Sequence, residues 1–218
     1  MKDLIILGAG GFSREASLLV EEINNSRPGK DEWNLLGFID EDESKWGMEL
    51  RGYPVLGGWA ALAELPAEVS AICVVGEPAA KNKLVDLAGA QGRQFATLIH
   101  PQVETAGDIF IGKGVLINKG CLLTVNVRIG DHVLVNPGCG IGHDAIIEPY
   151  TNLMWRVNIS GAVNVGKGCM IGTGAVVLQG KTIGEWTAVG AGAVVTKDLP
   201  PNCTAVGIPA KVISQGKG

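Results

Sequence analysis

The candidate chemistry of this sequence begins with its histidines, because a side chain with a reference pKa of about 6.5 can exchange its proton near neutral pH. The chain has three of them, His100, His132 and His143. His100 precedes a proline and His132 follows a Gly-Asp pair, patterns more often seen in structural or solvated histidines. His143 follows Gly142 and precedes Asp144, so it is the candidate general base, paired with a carboxylate. A solvated corner residue remains the alternative interpretation of His143.

A glycine lies eighteen residues after this histidine, in the pair Ser160-Gly161. If the chain stacks with a period of eighteen, the Gly161 amide lies about 4.8 Å, one strand spacing, from His143. A backbone N–H at that position could stabilise an oxyanion. One geometric condition applies. Successive strand residues point to opposite faces, so Asp144 reaches His143 only if the chain bends between them.

The elements that position these residues follow a repeat of six. From Ile111 to Val195 every sixth residue is apolar, and all but two of these are β-branched. An α-helix cannot use this period, because six steps of about 100° leave successive side chains pointing almost oppositely. A short strand followed by a glycine-assisted corner can use it, with one residue of each unit pointing inward. Three sides close a triangular coil of eighteen residues, so the repeat predicts a β-helix of five coils.

The first hundred residues alternate apolar runs with helical patterns, which predicts a small parallel α/β sheet. We expect strands at residues 4–7, 33–39, 69–75 and 95–99, with helices at 13–24, 59–65 and 79–90. Ser13 is the expected N-cap of the first helix. Pro200 and Pro201 should end the repeat, because proline cannot continue the ladder, and residues 203–213 should fold back as a cap.

The glycine-rich turn after the first strand suggests nucleotide binding. Gly8 and Gly10 fit the first two glycines of a dinucleotide fingerprint, but Ser13 occupies the third position. The loop amides can still hold a phosphate or diphosphate at a helix N-terminus. Asp40, at the end of the second strand, is placed to accept hydrogen bonds from a ribose or base. A tight structural turn is the alternative.

The composition argues against several classes of binding partner. The chain has 218 residues, 46% hydrophobic and 18% charged, and a net charge of −4, which gives no footprint for nucleic acid. No apolar run reaches membrane-spanning length and the first residues lack a signal peptide, so we expect no membrane insertion and a cytoplasmic location. The five cysteines have no metal-ligand spacing. We expect them to be reduced packing residues and expect no metal site.

The chain resembles the sialic acid O-acetyltransferase NeuD-like and PglD-type nucleotide-sugar acetyltransferases, a family of hexapeptide-repeat acyltransferases. The motifs behind this resemblance span nearly the whole sequence and include Gly8-Ala9-Gly10-Gly11-Phe12, Gly37-Phe38-Ile39-Asp40, Ile141-Gly142-His143-Asp144, Val157-Asn158-Ile159-Ser160-Gly161 and Val206-Gly207-Ile208-Pro209-Ala210. The resemblance implies a Rossmann-like nucleotide-sugar-binding domain at residues 1–100. It implies a left-handed parallel β-helix acetyltransferase domain with a C-terminal cap at residues 101–218, and a homotrimer.

The resemblance also implies roles for individual residues. His143 corresponds to the family's base. Asp144 corresponds to the acid that raises the basicity of this histidine, and Gly161 to the residue whose amide binds the oxyanion. The acetyl-CoA cleft, between neighbouring helices of the trimer, is implied at Asn152, Thr173 and Ala191. The nucleotide sugar is implied at Gly10, Gly11, Phe12, Asp40, Glu41, Gly76 and Lys81. Phe12 replaces a histidine common in this loop. Met154-Trp155-Arg156 replaces small residues, and either shapes a pocket or packs against the neighbouring subunit.

The implied reaction is acetyl transfer from acetyl-CoA to the amine of a nucleotide-linked amino sugar, of the UDP-4-amino-4,6-dideoxy type, for surface-glycan synthesis. Direct attack by the amine needs neither a cysteine nucleophile nor a metal. The runner-up is O-acetylation of a sugar such as sialic acid. Two further alternatives are a non-catalytic nucleotide-binding scaffold, disfavoured by the His143-Asp144 pair, and a nicotinamide-dependent reductase, disfavoured by the incomplete fingerprint.

Overall fold

The computed structural model describes residues 1–26, 32–105 and 107–216. The chain folds into two compact units, Met1–Pro101 and Gln102–Gly218. The two domains expected from the sequence also include residues 27–31, 106, 217 and 218, which lie outside the described residues. Among the helices of the described ranges, none combines the length and apolar character that a membrane span requires.

The first unit is the predicted α/β sheet. Its elements are the strands β1 (Lys2–Leu7), β2 (Trp33–Ile39), β3 (Glu49–Leu50), β4 (Tyr53–Gly57), β5 (Ser70–Cys73) and β6 (Leu98–Ile99), the helices α1 (Gly11–Asn25), α2 (Trp59–Glu64) and α3 (Pro78–Ala90), and a 3-10 turn (Glu43–Lys45). The sheet order is β3-β4-β2-β1-β5, and all pairs are parallel except β3 with β4. The strand predicted at residues 95–99 is not a full strand of this sheet: β6 lies outside it, and only Phe95 forms an isolated parallel bridge to Ala71. The β3–β4 hairpin adds to the predicted elements, because polar residues and Pro54 conceal it in the sequence.

The centre of this sheet creates a crevice. Strand β2 lies on one side of β1 and β5 on the other, so the chain changes direction at the carboxyl ends of these strands. Such a topological switch point is where open α/β sheets bind ligands. Gly8, Asp40 and Gly76 follow β1, β2 and β5, and therefore lie at this edge. The apolar residues 4–7 of β1 are fully buried, which anchors the loops to the core.

The second unit contains fifteen two-residue strands between residues 110 and 195, one every six residues. In chain order they are β7 (Phe110–Ile111), β8 (Leu116–Ile117), β9 (Leu122–Leu123), β10 (Arg128–Ile129), β11 (Leu134–Val135), β12 (Gly140–Ile141), β13 (Ile146–Ile147), β14 (Asn152–Leu153), β15 (Asn158–Ile159), β16 (Asn164–Val165), β17 (Met170–Ile171), β18 (Val176–Val177), β19 (Thr182–Ile183), β20 (Ala188–Val189) and β21 (Val194–Val195). Each strand pairs in parallel with the strand eighteen residues away, which gives three ladders. The predicted left-handed parallel β-helix is confirmed.

The apolar column of the repeat forms the core of this unit. Fourteen of its fifteen residues are at most 7% exposed. Ile111 is the half-buried exception, because it belongs to the first coil of the repeat. From Val115 to Ala193 the position two residues earlier also points inward, except at Lys181, and it otherwise carries small or β-branched residues and three cysteines. All five cysteines of the chain are free and buried, which agrees with the predicted packing role.

Each corner of the β-helix contains one residue with positive φ. From Gly114 to Gly192 every sixth residue has φ between 55° and 74°. Seven of these residues are glycine; the others are Asn126, His132, Asp144, Tyr150, Arg156, Ala162 and Trp186. A non-glycine residue in this conformation costs on the order of 1–2 kcal/mol, because its Cβ approaches a carbonyl oxygen. The fixed period means that these side chains stack on one another from coil to coil.

The C-terminal segment covers the last coil. Strand β22 (Cys203–Val206) pairs with β20, and β23 (Lys211–Gln215) returns antiparallel to β22. Leu199 bridges to Ile183 of β19, and the Val194 amide of β21 donates to the Gly207 carbonyl. The predicted cap is confirmed, and it pairs backbone groups that would otherwise form open edges.

Candidate active site

His143 lies at the corner between β12 and β13, with 51% of its side chain exposed. Its Nδ1 is 2.8 Å from Oδ2 of Asp144. The bend that this contact requires is present, because Asp144 is the positive-φ residue of the corner, with φ of 59°. Two side chains that are adjacent in sequence therefore lie on the same side of the chain and form a hydrogen bond.

This pairing decides which nitrogen of the neutral ring can act as a base. An ionised carboxylate can only accept hydrogen bonds, so Nδ1 carries the proton and Nε2 keeps its lone pair. The hydrogen bond from His143, and secondly the one from Asn126, lower the pKa of Asp144 below its usual value. Asp144 is therefore ionised at neutral pH. The structure thus brings together a carboxylate and an imidazole in the arrangement of a general base.

Gly161 lies one coil above the imidazole. A Cβ at Gly161 would collide with Nε2 and Cε1 of His143, so a side chain there would displace the ring. The Ala162 amide donates to the His143 carbonyl at 2.7 Å, which holds the two coils in register. Within the described part of the chain, no hydrogen-bond acceptor is found for the Gly161 N–H. That amide can accordingly donate to a negative charge that develops beside Nε2.

The residues expected along the acetyl-CoA cleft differ in exposure. Thr173 and Ala191 are both exposed and lie in one corner column, above Trp155. The Gly174 amide donates to the Trp155 carbonyl at 2.8 Å, which fixes this stacking. Trp155 is 43% exposed and stands at the opposite end of β15 from Gly161. Asn152, by contrast, is only 1% exposed, so the structure does not support its lining an open cleft.

The glycine-rich turn leads directly into α1. Gly10, not Ser13, is the N-cap: helix α1 begins at Gly11, and the Ser13 Oγ accepts a hydrogen bond from the Gly10 amide at 3.3 Å. The Ser13 prediction was wrong because the extended backbone of Gly10 lets the helix start earlier. Gly10 and Gly11 are exposed and Phe12 is half-buried. The first amides of α1 have no partner within the helix, so they can bind an anion.

Asp40 already uses both of its carboxylate oxygens. Oδ2 accepts from the Ala9 amide at 2.7 Å, and Oδ1 accepts from the Asp42 amide at 3.0 Å. The Lys45 ammonium lies 3.1 and 3.2 Å from the two oxygens. Partial burial alone would raise the pKa of Asp40, but the two amides and Lys45 together lower it. Asp40 therefore braces the loops, and contact with a ribose requires exchange of one of these partners.

A cavity of about 170 Å³ opens at the crevice of the first unit. It is lined by Gly8, Ile39, Asp40, Glu41, Trp59, Val75 and Leu84. Glu41 Oε1 accepts a hydrogen bond from the Trp59 amide at 2.7 Å, which closes one wall. Gly76 is exposed, and a side chain there would meet open space. An indole, two carboxylates and glycine loops suit the recognition of a nucleoside.

Lys81 does not line this cavity. Its side chain is fully buried in α3, and the burial lowers the pKa of its ammonium to about 7. Contact between Lys81 and a ligand is not supported, because the side chain is fully buried. The family resemblance identifies the position but carries no information about burial.

The other two histidines are buried. His132 is 2% exposed, and its ring stacks on Tyr150 with centroids 5.2 Å apart. His100 is 7% exposed, and its Nε2 lies 3.5 Å from Oε2 of Glu22. Over the described residues, no group of three or more His, Cys, Asp or Glu side chains is arranged to hold a metal ion.

Residues 3–87 match the family of the PglD N-terminal domain. Over its full length the fold resembles that of perosamine N-acetyltransferase from Caulobacter crescentus, solved as a histidine-to-asparagine variant with CoA and GDP-perosamine. The TM-score is 0.87 at 28% identity, and the match covers 98% of each chain. The acetyltransferase domain of PglB from Neisseria gonorrhoeae matches with a TM-score of 0.85 at 26% identity, over 98% of this chain and all of that domain.

Sequence similarity to a curated enzyme is confined to part of the chain. Galactoside O-acetyltransferase of Escherichia coli is 34% identical over 113 residues, which are 50% of this chain and 54% of that enzyme. The chain spans about half the length of the curated relatives it matches. These relatives are acetyltransferases, and the structural matches extend over 98% of this chain.

Proposed function

We propose that the chain is a PglD-type nucleotide-sugar acetyltransferase, which transfers the acetyl group of acetyl-CoA to the amine of a nucleotide-linked amino sugar. The match of residues 3–87 to the PglD N-terminal domain supports this assignment. The observation that carries this proposal is the stacking of His143 on Gly161 within a fold that matches perosamine N-acetyltransferase from end to end. That structure contains CoA and GDP-perosamine. Surface-glycan synthesis is the process that such a product would serve.

The chemistry assigned to the site is direct transfer. The neutral amine attacks the thioester carbonyl, and a C–N bond forms as the C–S bond breaks. Nε2 of His143 removes the proton of the attacking amine, and the Gly161 N–H donates to the oxyanion. The imidazolium then returns a proton to the departing CoA thiolate, so the base is regenerated. Asp144 stabilises the imidazolium, since its carboxylate faces Nδ1 at 2.8 Å.

The first unit is the proposed binding site of the nucleotide. The amides of Gly11 and Phe12 would hold the diphosphate, and the cavity beside Glu41 and Trp59 would hold the nucleoside. Calorimetric titration with UDP-, GDP-, dTDP- and CMP-sugars and with NAD tests this assignment. We expect one nucleotide sugar to bind. A response to NAD and to none of the sugars would replace the assignment with a reductase-type site.

Assembly and location are also part of the proposal. We expect a homotrimer in which neighbouring β-helices form the acetyl-CoA cleft along Thr173 and Ala191, and we expect the reaction in the cytoplasm. Light scattering tests the assembly. A monomer at assay concentration would remove the shared cleft from the proposal, while leaving His143 and Gly161 in place.

The decisive experiment measures CoA release from acetyl-CoA with 4-amino-4,6-dideoxy sugars linked to UDP and to GDP. We expect turnover that needs both substrates and disappears when the amine is replaced by a hydroxyl. Transfer to the hydroxyl analogue would favour the second candidate, sugar O-acetylation, which the partial match to galactoside O-acetyltransferase supports. Ligand binding without CoA release from any acceptor would leave a nucleotide-binding scaffold.

A further inference from the structure

Asp144 has a second polar partner one coil below it. The side-chain Nδ2 of Asn126 donates to Asp144 Oδ1 at 2.7 Å, while Oδ2 faces His143. Asn126 is itself tied down, because its backbone amide donates to Oδ2 of Asp108 at 3.0 Å. These contacts form a continuous relay from Asp108 through Asn126 and Asp144 to the imidazole.

We propose that Asn126 is a positioning residue for this reaction, acting on the base through Asp144. The side chain of Asp144 is 53% exposed, and solvent alone would leave its carboxylate free to rotate. The Asn126 amide occupies one carboxylate oxygen and thereby turns the other towards Nδ1. This inference rests on the proposed function of His143 as the base.

The corner geometry explains why an asparagine can hold this position. Asn126 and Asp144 are eighteen residues apart, and each is the positive-φ residue of its corner, with φ of 55° and 59°. Asparagine tolerates this conformation better than most residues. Above Asp144 the same column continues with Ala162 and Gly180, which have no polar side chain. The carboxylate therefore has its neutral side-chain donor only on the lower side.

The amide also separates like charges. Asp108 lies below Asn126 and Asp144 lies above it, so a neutral donor stands between two carboxylates. A carboxylate at position 126 would lose the donor and add repulsion on both sides. Loss of the donor would let Asp144 leave Nδ1 and let the imidazole adopt either tautomer. In the other neutral tautomer Nε2 carries the proton and is no longer a base.

The test compares the wild type with Asn126→Gly, Asn126→Asp and a matched control, Asn202→Gly. Asn202 has the same φ of 55°, so the control makes the same chemical change on the same type of backbone, but in the cap. Glycine suits this conformation, so neither glycine variant should lose its fold. The measurements are kcat, the KM for acetyl-CoA, and the ¹⁵N shifts of the histidine ring, which distinguish the two tautomers. The His143→Ala spectrum assigns the signals.

We expect a single Nδ1-protonated tautomer of His143 in the wild type and in Asn202→Gly, and a mixture in Asn126→Gly. We expect kcat of Asn126→Gly to fall about three- to tenfold, as for loss of one hydrogen bond, with the KM for acetyl-CoA unchanged. Asn126→Asp should fall further. A single tautomer and unchanged kcat in Asn126→Gly would overturn the proposal, as would mixed tautomers in the wild type. Full activity of His143→Ala would instead refute the proposed function, while the tautomers would still report whether Asn126 orients the pair.

Discussion

Two corners of the β-helix carry a histidine, and their surroundings are opposite. The ring of His132 is buried against Tyr150, whereas more than half of the His143 side chain is exposed. Each ring occupies space that a glycine of an adjacent coil leaves open, Gly114 for His132 and Gly161 for His143. The repeat provides the same type of niche twice, and only one of the two is open to solvent.

The two histidines differ in exposure because different side chains lie above them in the next coil, eighteen residues later. Tyr150 covers His132 from the next coil. Near His143 the next coil has Gly161 and Ala162, which cover little of the ring. A histidine in this fold is therefore available for proton transfer under two conditions. The residues above it in the next coil must be small enough to leave the ring exposed, and an adjacent carboxylate must bind one ring nitrogen.

The largest test of this contrast is His143→Ala. We expect kcat to fall about 10²–10⁴-fold, the usual contribution of a general base. The thermal stability and the affinity for acetyl-CoA should persist, because the side chain is exposed and contributes little to the core. Steady-state kinetics and a thermal melt measure both. Activity within about threefold of the wild type would show that His143 is not the general base, and His132 would become the next candidate.

A smaller loss is expected for Gly161→Ala. The new methyl group would collide with His143 Nε2, which displaces the base from the amide above it. We expect kcat to fall about 10²-fold, in the range found when one oxyanion donor is removed. Gly107→Ala is the control, since a Cβ there meets nothing within 4 Å and φ is not positive. Equal activities of the two variants would show that the open niche at Gly161 has no catalytic role.

The reverse outcome is expected at the other corner, for His132→Asn. Asparagine tolerates the φ of 58° at this position, so the change mainly removes the buried ring and its stack on Tyr150. We expect the free energy of unfolding to fall by about 1–3 kcal/mol. Below the melting transition, kcat should stay within twofold. Chemical denaturation and initial rates provide the two measurements. A large loss of kcat without a loss of stability would contradict the structural role of His132.

A smaller loss of kcat than for His143→Ala or Gly161→Ala is expected for Asp144→Asn, which keeps a side chain suited to positive φ but removes the charge. We expect kcat to fall about tenfold, because the imidazolium loses its charged partner while an amide oxygen can still accept from Nδ1. KM should not change. An unchanged kcat would show that the adjacent acid does not assist the base.

The lowered pKa of Asp144 gives this prediction a pH dependence. A carboxyl with a depressed folded pKa contributes stability above its unfolded pKa and loses it as the pH falls through the folded value. The stability difference between the wild type and Asp144→Asn should therefore be present near neutral pH and disappear only in strong acid. Denaturation series from pH 7 down to pH 3 measure it. A difference that vanished already near pH 6 would point to a titrating group other than Asp144.

The periodic part of the molecule could be predicted from sequence, because one physical requirement recurs. Each inward position must be apolar, and burial of the column from Ile117 to Val195 follows directly. The positive-φ corners were also present as a signal, in glycines such as Gly168, Gly174 and Gly180 at steps of six. Asn126 stands eighteen residues before Asp144, a spacing that would have identified their contact once the coil length was known.

The parts that could not be predicted depend on packing in three dimensions. Lys81 and Asn152 occupy positions that the family resemblance associates with ligands, but neighbouring elements bury both side chains. Asp40 accepts a hydrogen bond from Ala9 and forms an ion pair with Lys45, and no sequence repeat predicts the spacing of these three residues. In the α/β unit, contacts between distant loops decide the role of a residue, and local sequence patterns do not record them.

The eighteen-residue coil also determines which insertions and deletions this protein can accept. Insertion or deletion of one whole coil above Gly161 would leave every later residue at the same corner of the triangle. The coils below, with His143 and Gly161, would be unchanged. A change of six residues would instead rotate all later corners by one side, so Thr173 and Ala191 would move to a different edge of the triangle. Length variation in such a chain should therefore be quantised, with coils gained or lost as complete units and the pair of coils around His143 retained.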